Sequence, residues 1–331
     1  MKRHNICKII FAILAVFLCV AFYELIGICI TYKKQPAVSD ATIKETQNIM
    51  SVAGRENTER AVIIEKNSQA LLERVRLIQN AKDEIILSTF AFKSDESGKL
   101  ILGALHDAAD RGVHVRILVD GMESWIDMEG NPYFYGLSSH ENVEIKLYNK
   151  ANPLKPWKTM GRMHDKYLIA DGKIYILGGR NTYNYFLGDF PGHKNFDRDV
   201  LVVCDEPQKD NSVNQLWNYF ETIWEQEDCR YFHNSKKLAD RQSVKKAVLE
   251  LQEGYQQYFE VNKEKICDID YADETFETEK ITLLSNPIHT QAKEPVVWYQ
   301  LGELMKNAKE RVKIHTPYII CNDMMYNTWE E

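Results

Sequence analysis

His164 and Lys166 stand two residues apart in the run Gly161-Arg162-Met163-His164-Asp165-Lys166, and the apolar run Tyr167-Leu168-Ile169-Ala170 follows directly. Side chains alternate between faces along an extended segment, so the imidazole and the ammonium project together while Asp165 points away. A neutral imidazole can attack an electrophile, and an ammonium beside it can balance charge that develops on oxygen. Asp171-Gly172 comes next, ahead of a second apolar run, Ile174-Tyr175-Ile176-Leu177. That dipeptide predicts a type I′ hairpin, because both central residues of the turn need positive φ. The return strand ends at Gly178-Gly179, with Asn181 just beyond. Two residues without side chains let an anionic group approach the backbone amides, and the Asn181 amide adds a donor. Together these are the parts of a phosphate site that contains a nucleophile.

His164, Lys166 and Asp171 spell H-x-K-x-x-x-x-D, and Gly178, Gly179 and Asn181 spell G-G-x-N. The joint pattern resembles the phospholipase D superfamily. The form Gly178-Gly179-Arg180-Asn181, the pair Tyr185-Phe186 and the run Phe196-Asp197-Arg198-Asp199-Val200 are most similar to its bacterial cardiolipin synthase branch. The stretch from Ala108 to Asp120, Ala-Ala-Asp-Arg-Gly-Val-His-Val-Arg-Ile-Leu-Val-Asp, resembles the same family. This resemblance implies a covalent phosphohistidine at His164, with Lys166, Gly179 and Asn181 binding the phosphate oxygens. It further implies that Asp171 supports the hairpin and the lysine, that Asp197 orients His164, and that neither a metal nor another cofactor is needed. Members that carry two repeats build one site from two such motifs. Read singly, each residue has an ordinary explanation: a strand-edge histidine, a solvated lysine, a turn aspartate. The joint spacing does not.

The elements that must position this hairpin are legible around it. Ala70 to Ile78 has helical periodicity and Glu84 to Phe90 reads as a buried strand. A second helix over Gly98 to Asp110 stops at Gly112, and Val113 to Val119 is the next strand. Helices alternating with apolar strands predict an α/β fold of the phospholipase D-like kind, with a mixed, largely parallel sheet flanked by helices. Val200 to Val203 adds a strand, and Leu216, Trp217, Phe220, Ile223 and Trp224 fall at helical spacing in a core-facing helix. His106 and His114 are read as scaffold residues.

Residues 9 to 30 are apolar except for Glu24, long enough at about 1.5 Å per residue to cross a hydrocarbon core of about 30 Å. No small-x-small cleavage pattern is evident, so an uncleaved single-pass anchor is expected. The short basic N-tail of Lys2, Arg3 and Lys8 favours a folded part outside the cytoplasm. The resulting organisation is an anchor over 1–35, a polar stalk over 36–66, a first repeat over 67–233, a charged helical linker over 234–281 and the start of a second repeat over 282–331. That last assignment rests on Asn80-Ala81-Lys82-Asp83-Glu84-Ile85-Ile86-Leu87-Ser88-Thr89 aligning with Asn307-Ala308-Lys309-Glu310-Arg311-Val312-Lys313-Ile314-His315-Thr316. It predicts an apolar strand over 312–320. Only one H-x-K-x-x-x-x-D motif occurs in the 331 residues, so the second half-site is expected from another chain or is lacking, leaving a truncated or half-site form.

The composition, 44% hydrophobic and 11% aromatic, suffices for a large core, and a formal charge of −7 argues against a general nucleic-acid coat. A local basic stretch runs against that balance, with Lys146, Lys150, Lys155, Lys158, Arg162 and Lys166 interleaved with Tyr148, Pro153, Pro156 and Trp157. It could dock on anionic lipid headgroups or follow a nucleic-acid backbone, the alternative being an ordinary solvated loop. The seven cysteines show no metal spacing; Cys204, Cys229, Cys267 and Cys321 are read as thiols. The expected activity is that of a membrane-anchored phosphodiesterase or phosphatidyltransferase acting on phospholipid. The alternatives are a phosphodiesterase on nucleic acid, a partner not expected from the charge, and a non-catalytic remnant that binds phosphate.

Overall fold

The computed structural model describes residues 2–51, 58–233, 235–267, 269–316 and 319–330. The chain divides into two compact units, one formed by residues 1–55, 152–161 and 282–331 and the other by 56–151 and 162–281.

In the first unit, helix α1 covers Lys2–Tyr32 and α2 covers Asp40–Ser51. The apolar part of α1, Ile6–Tyr32, is long and apolar enough to cross a membrane. A short 3-10 turn at Pro156–Lys158 packs against α1.

The second unit is built on a nine-stranded sheet. Strand β1 (Arg60–Ile64) leads into α3 (Asn67–Asn80), β2 (Glu84–Thr89), α4 (Glu96–Asp110) and β3 (His114–Asp120). After short helices α5 (Gly121–Asp127) and α6 (Pro132–Ser138) come β4 (Val143–Tyr148) and the hairpin β5 (Tyr167–Ala170) and β6 (Ile174–Gly178). The chain continues through β7 (Asp199–Val203), α7 (Ser212–Trp224), β8 (Cys229–Tyr231), α8 (Lys236–Ala239), α9 (Gln242–Cys267), α10 (Tyr271–Glu274) and β9 (Phe276–Glu277). The spatial order is β8-β4-β3-β2-β5-β6-β7-β1-β9.

The sheet is mixed, as expected, but the parallel part is confined to β2-β3-β4, and every other pairing is antiparallel. The parallel neighbours β2-β3 and β3-β4 are each joined by a helical crossover, α4 and then α5 with α6, as parallel pairing requires, whereas β5 and β6 form a tight antiparallel hairpin. Alternation sorts the two faces. Val115, Ile117 and Val119 of β3 join the apolar cluster under α3, α4, α6 and α9, with Leu71, Val75, Leu105, Leu251 and Tyr255. On the opposite face Arg116 is held by Glu84 and by Glu221 of α7, its guanidinium 4.9 Å from the Phe220 ring centroid.

Three boundaries differ from the sequence reading. The expected stalk contains β1, whose run Ala61-Val62-Ile63-Ile64 pairs with β7 and places Arg60 and Ala61 against β9. The expected linker contains α9, which buries Val244, Ala247, Leu251 and Tyr255 against α4 and α6 and so belongs to the core unit. Charged residues on the outer face of a long amphipathic helix made it look solvated. In the first unit, α11 (Val296–Lys306) and α12 (Asp323–Glu330) flank a stretch where a strand was expected. Among its described residues no strand forms, and Val312, Ile314, Ile319 and Ile320 are exposed; 317 and 318 lie outside the described residues. That unit holds no other strand among its described residues, and an unpaired strand leaves its backbone groups without partners. All seven cysteines are free thiols, with Cys204 and Cys229 buried.

Candidate active site

Register gathers the candidate residues at one edge of the sheet. Thr89 of β2 pairs beside Val119 of β3, so Phe90 and Asp120 emerge together at the C-terminal ends of parallel strands, where open α/β sheets place their ligands. β5 runs antiparallel to β2 with Tyr167 opposite Ser88, which brings the preceding residues, Arg162 to Lys166, to the same edge. Gly178 donates its amide to Lys166 O at 3.1 Å, and Asp199 stands opposite Gly178 at the start of β7.

Along Arg162 to Lys166 the side chains alternate as the spacing predicts. Arg162, His164 and Lys166 share the Phe90 ring: His164 stacks on it edgewise at 4.6 Å between centroids, Arg162 lies at 5.1 Å and Lys166 Nζ at 5.3 Å. The intervening residues turn inward. Met163 takes a hydrogen bond from Ser88 Oγ, and Asp165 accepts from Tyr219 OH at 2.8 Å. His164 and Lys166 therefore present an exposed imidazole beside an almost fully buried ammonium, whose Nζ also donates to His164 O at 2.6 Å.

The electrostatics suit a nucleophile beside a cation. Partial desolvation of the His164 ring against its neighbours, and next the Lys166 charge, push its pKa below the ordinary imidazole value, against an opposing pull from Asp120. The ring is thus neutral near pH 7. Burial pushes Lys166 down to about 8, although Asp165, Asp197 and Asp120 pull it back up. It keeps most of its positive charge at neutral pH.

Asp120 is the residue that sequence reasoning passed over. It is 1% exposed; its carboxylate accepts from Arg162 Nε at 2.9 and 3.0 Å, from Met163 N at 3.1 Å, and from the amides of Met122 and Glu123 at the start of α5. One carboxylate therefore caps a helix and fixes the two residues ahead of His164. The available signal was an aspartate ending an apolar parallel strand, directly before a glycine.

Several expected roles fall differently. Asp171 and Gly172 adopt φ of 52° and 60°, the turn that the dipeptide predicts. Asp171, however, lies at the far end of β5, five residues and so about 16 Å along the strand from Lys166. Its carboxylate accepts from the amides of Lys82, Asp83 and Glu84, locking the turn to the start of β2. It holds the hairpin but does not reach the lysine or the histidine. Among the described residues no hydrogen bond joins Asp197 to His164: Asp197 accepts from Arg198 N at 2.7 Å, and its charge acts on Lys166. The acid whose charge reaches His164 is Asp120.

The two glycines serve the protein's own carboxylates. A Cβ on Gly179 would stand 2.1 Å from Asp197 Oδ2, and one on Gly178 would stand 2.0 Å from Asp199 Oδ1. Asn181 Oδ1 accepts from Ala91 N at 3.1 Å, tying this segment to the chain leaving β2. Beneath them Asp199 is paired with Arg74 at 2.9 Å and Arg180 at 3.3 Å, all three buried. Arg180 also donates to the carbonyls of Ile64, Glu65 and Asp197. The basic stretch is not one patch. Lys146 lies 4.4 Å from the Trp224 ring centroid and donates to Trp224 O, and Arg162 is ion-paired with Asp120 and Glu123.

Residues 75–224, from α3 through α7, match the family described as "Cardiolipin synthase, PLD-like domain". An uncharacterized protein of Helicobacter pylori (strain ATCC 700392 / 26695) is 28% identical over 297 residues, covering 81% of this chain and 56% of that protein. Cardiolipin synthase C of Escherichia coli (strain K12) is 29% identical over 154 residues, covering 42% of this chain and 31% of that protein. The solved structure of NucT from Helicobacter pylori aligns with a TM-score of 0.41 at 17% identity, covering 53% of this chain and 99% of that one. The chain thus spans about half the length, or less, of these curated relatives. The matched segment is similar to a phospholipase D-like domain, and it contains Asp120, His164, Lys166, Asp171, Gly178, Gly179, Asn181, Asp197 and Asp199.

Proposed function

We propose that the chain is a membrane-anchored phosphodiesterase or phosphatidyltransferase acting on phospholipid, with His164 as its nucleophile. The observation that carries this reading is the convergence of a neutral imidazole and a buried ammonium on one face around Phe90. A ring nitrogen of His164 attacks phosphorus, the bond to the headgroup oxygen breaks, and the phosphoryl group is held as a phosphohistidine. Lys166 balances charge on the non-bridging oxygens, and the Asn181 amide is the candidate second donor. Water or an alcohol then attacks phosphorus, the P–N bond breaks, and the imidazole is regenerated neutral.

The departing alkoxide needs a proton, which the family resemblance assigns to a second H-x-K motif. Asp120, through Arg162 and Met163, is the positioning residue for His164. Helix α1 would anchor the chain as a single pass, with the folded part outside the cytoplasm on the strength of Lys2, Arg3 and Lys8.

The test is to mix the detergent-solubilised protein with vesicles of phosphatidylglycerol labelled at phosphorus, quench rapidly in base, and look for label on the protein. An acid-labile, base-stable adduct that is absent in His164→Ala supports the nucleophile. Turnover without such an adduct, or an adduct that persists in His164→Ala, overturns it.

A further inference from the structure

The segment 152–161 lies between β4 and the site residues in sequence, yet it packs in the unit that contains α1. Its contacts there are specific. Tyr23 OH donates to Leu154 O at 3.3 Å, and Gly27 faces Pro156 so closely that a Cβ would stand 2.6 Å from Pro156 Cγ. At the other end of the segment, Gly161 packs on Thr290, where a Cβ would meet Thr290 Cα at 2.6 Å. Thr290 O in turn accepts from Tyr32 OH at 3.0 Å, the last residue of α1. Both ends of the segment are thereby tied to the final turns of α1.

The depth of this attachment follows from helix geometry. The apolar stretch Ile6–Tyr32 has 27 residues and is about 40 Å long, about 10 Å more than a hydrocarbon core. Gly27 lies five residues, about 8 Å, before its end. A segment seated at Tyr23 and Gly27 sits where acyl chains give way to headgroups. Its composition matches that depth. Leu154 is 79% exposed, Met160 57% and Trp157 40%, unusual for three apolar residues within one seven-residue stretch unless something other than water covers them. Lys155 is exposed among them, and Lys33 and Lys34 are exposed immediately after α1.

We propose that residues 152–161 form a membrane-inserted loop beside α1, burying Leu154 and Trp157 at the acyl boundary and setting Lys155, Lys33 and Lys34 against the phosphates of anionic lipids. Tryptophan is favoured at that boundary, and surface lysines are attracted to an anionic leaflet. Gly161 is followed directly by Arg162, so the loop that touches lipid is covalently the lead-in to the nucleophile. This inference rests on α1 being a membrane helix.

The test uses the full chain reconstituted in phosphatidylcholine–phosphatidylglycerol vesicles, with tryptophan emission quenched by lipids brominated near the headgroup or deep in the chain. Co-flotation with the vesicles tests the anchor separately. The expected result is co-flotation, preferential quenching by the shallow bromines, and loss of most of that shallow component in Trp157→Phe but not in Trp125→Phe, since Trp125 lies outside this unit. Lys155→Glu should reduce shallow quenching only when phosphatidylglycerol is present. Protein that floats but shows the same quenching in Trp157→Phe as in wild type overturns the loop while leaving the anchor intact. Protein that does not float overturns the anchor, and the loop with it.

Discussion

Replacing Lys166 by methionine should stabilise the fold while abolishing turnover. Lys166 is 5% exposed, and its pKa falls from 10.5 to about 8, with burial the largest cause. That lowering amounts to about 3 kcal/mol by which the fold disfavours the charged lysine. The sign is set by which state holds the proton. Below pH 8 the lysine is charged in both states and the folded chain bears the whole cost. Between 8 and 10.5 the folded chain releases its proton first, so wild-type stability rises with pH. Methionine removes the cost but also the hydrogen bond to His164 O, a loss of about 1 kcal/mol, leaving a net gain of about 2 kcal/mol at pH 7. Urea denaturation of the detergent-solubilised protein at several pH values reads this directly. The gap between Lys166→Met and wild type should be open at pH 7 and close towards pH 10. Turnover on phosphatidylglycerol vesicles should fall by about 100-fold or more, as when an oxyanion-stabilising group is removed. A variant less stable than wild type at pH 7, or one that keeps its activity, would refute the assignment of a strained, functional cation.

The same charges set a pH profile: turnover should rise along a limb below 6.5 as His164 loses its proton, then fall on the alkaline side to about half at pH 8 and about a tenth at pH 9 as Lys166 deprotonates. An alkaline limb that stays flat through pH 9 would contradict the lysine's role. Asp199→Ala leaves Arg74 and Arg180 buried without their shared carboxylate and should lower stability by about 3–5 kcal/mol, measured by denaturation. Gly179→Ala should displace the Asp197 carboxylate, lower the alkaline limb further by removing one of the acids that hold Lys166 charged, and leave circular dichroism near native. Asp120→Asn should retain the fold yet reduce turnover about 100-fold by loosening Arg162 and Met163 ahead of His164, read as kcat at unchanged adduct chemistry.

Local chemistry was legible in the sequence. Asp171-Gly172 dictated its turn because few residue pairs accept two positive φ angles, and the alternation over Arg162 to Lys166 dictated which side chains share a face, because a strand has a period of two. Those relations are fixed by covalent geometry within a few residues. Strand direction was not legible, since Val200 to Val203 or Tyr167 to Ala170 carries the same apolar pattern whether its neighbour runs parallel or antiparallel. Nor was the destiny of the polar residues. Asp197 and Asp120 are alike in sequence, but only the register of β3 beside β2, with β5 antiparallel on its other side, brings Asp120 under Arg162 and leaves Asp197 against Gly179. A carboxylate acts through whatever donors lie within about 3 Å of it. For Asp120 those donors include Arg162 and Met163, 42 and 43 positions away in the chain, which is why the tertiary structure alone decides its role.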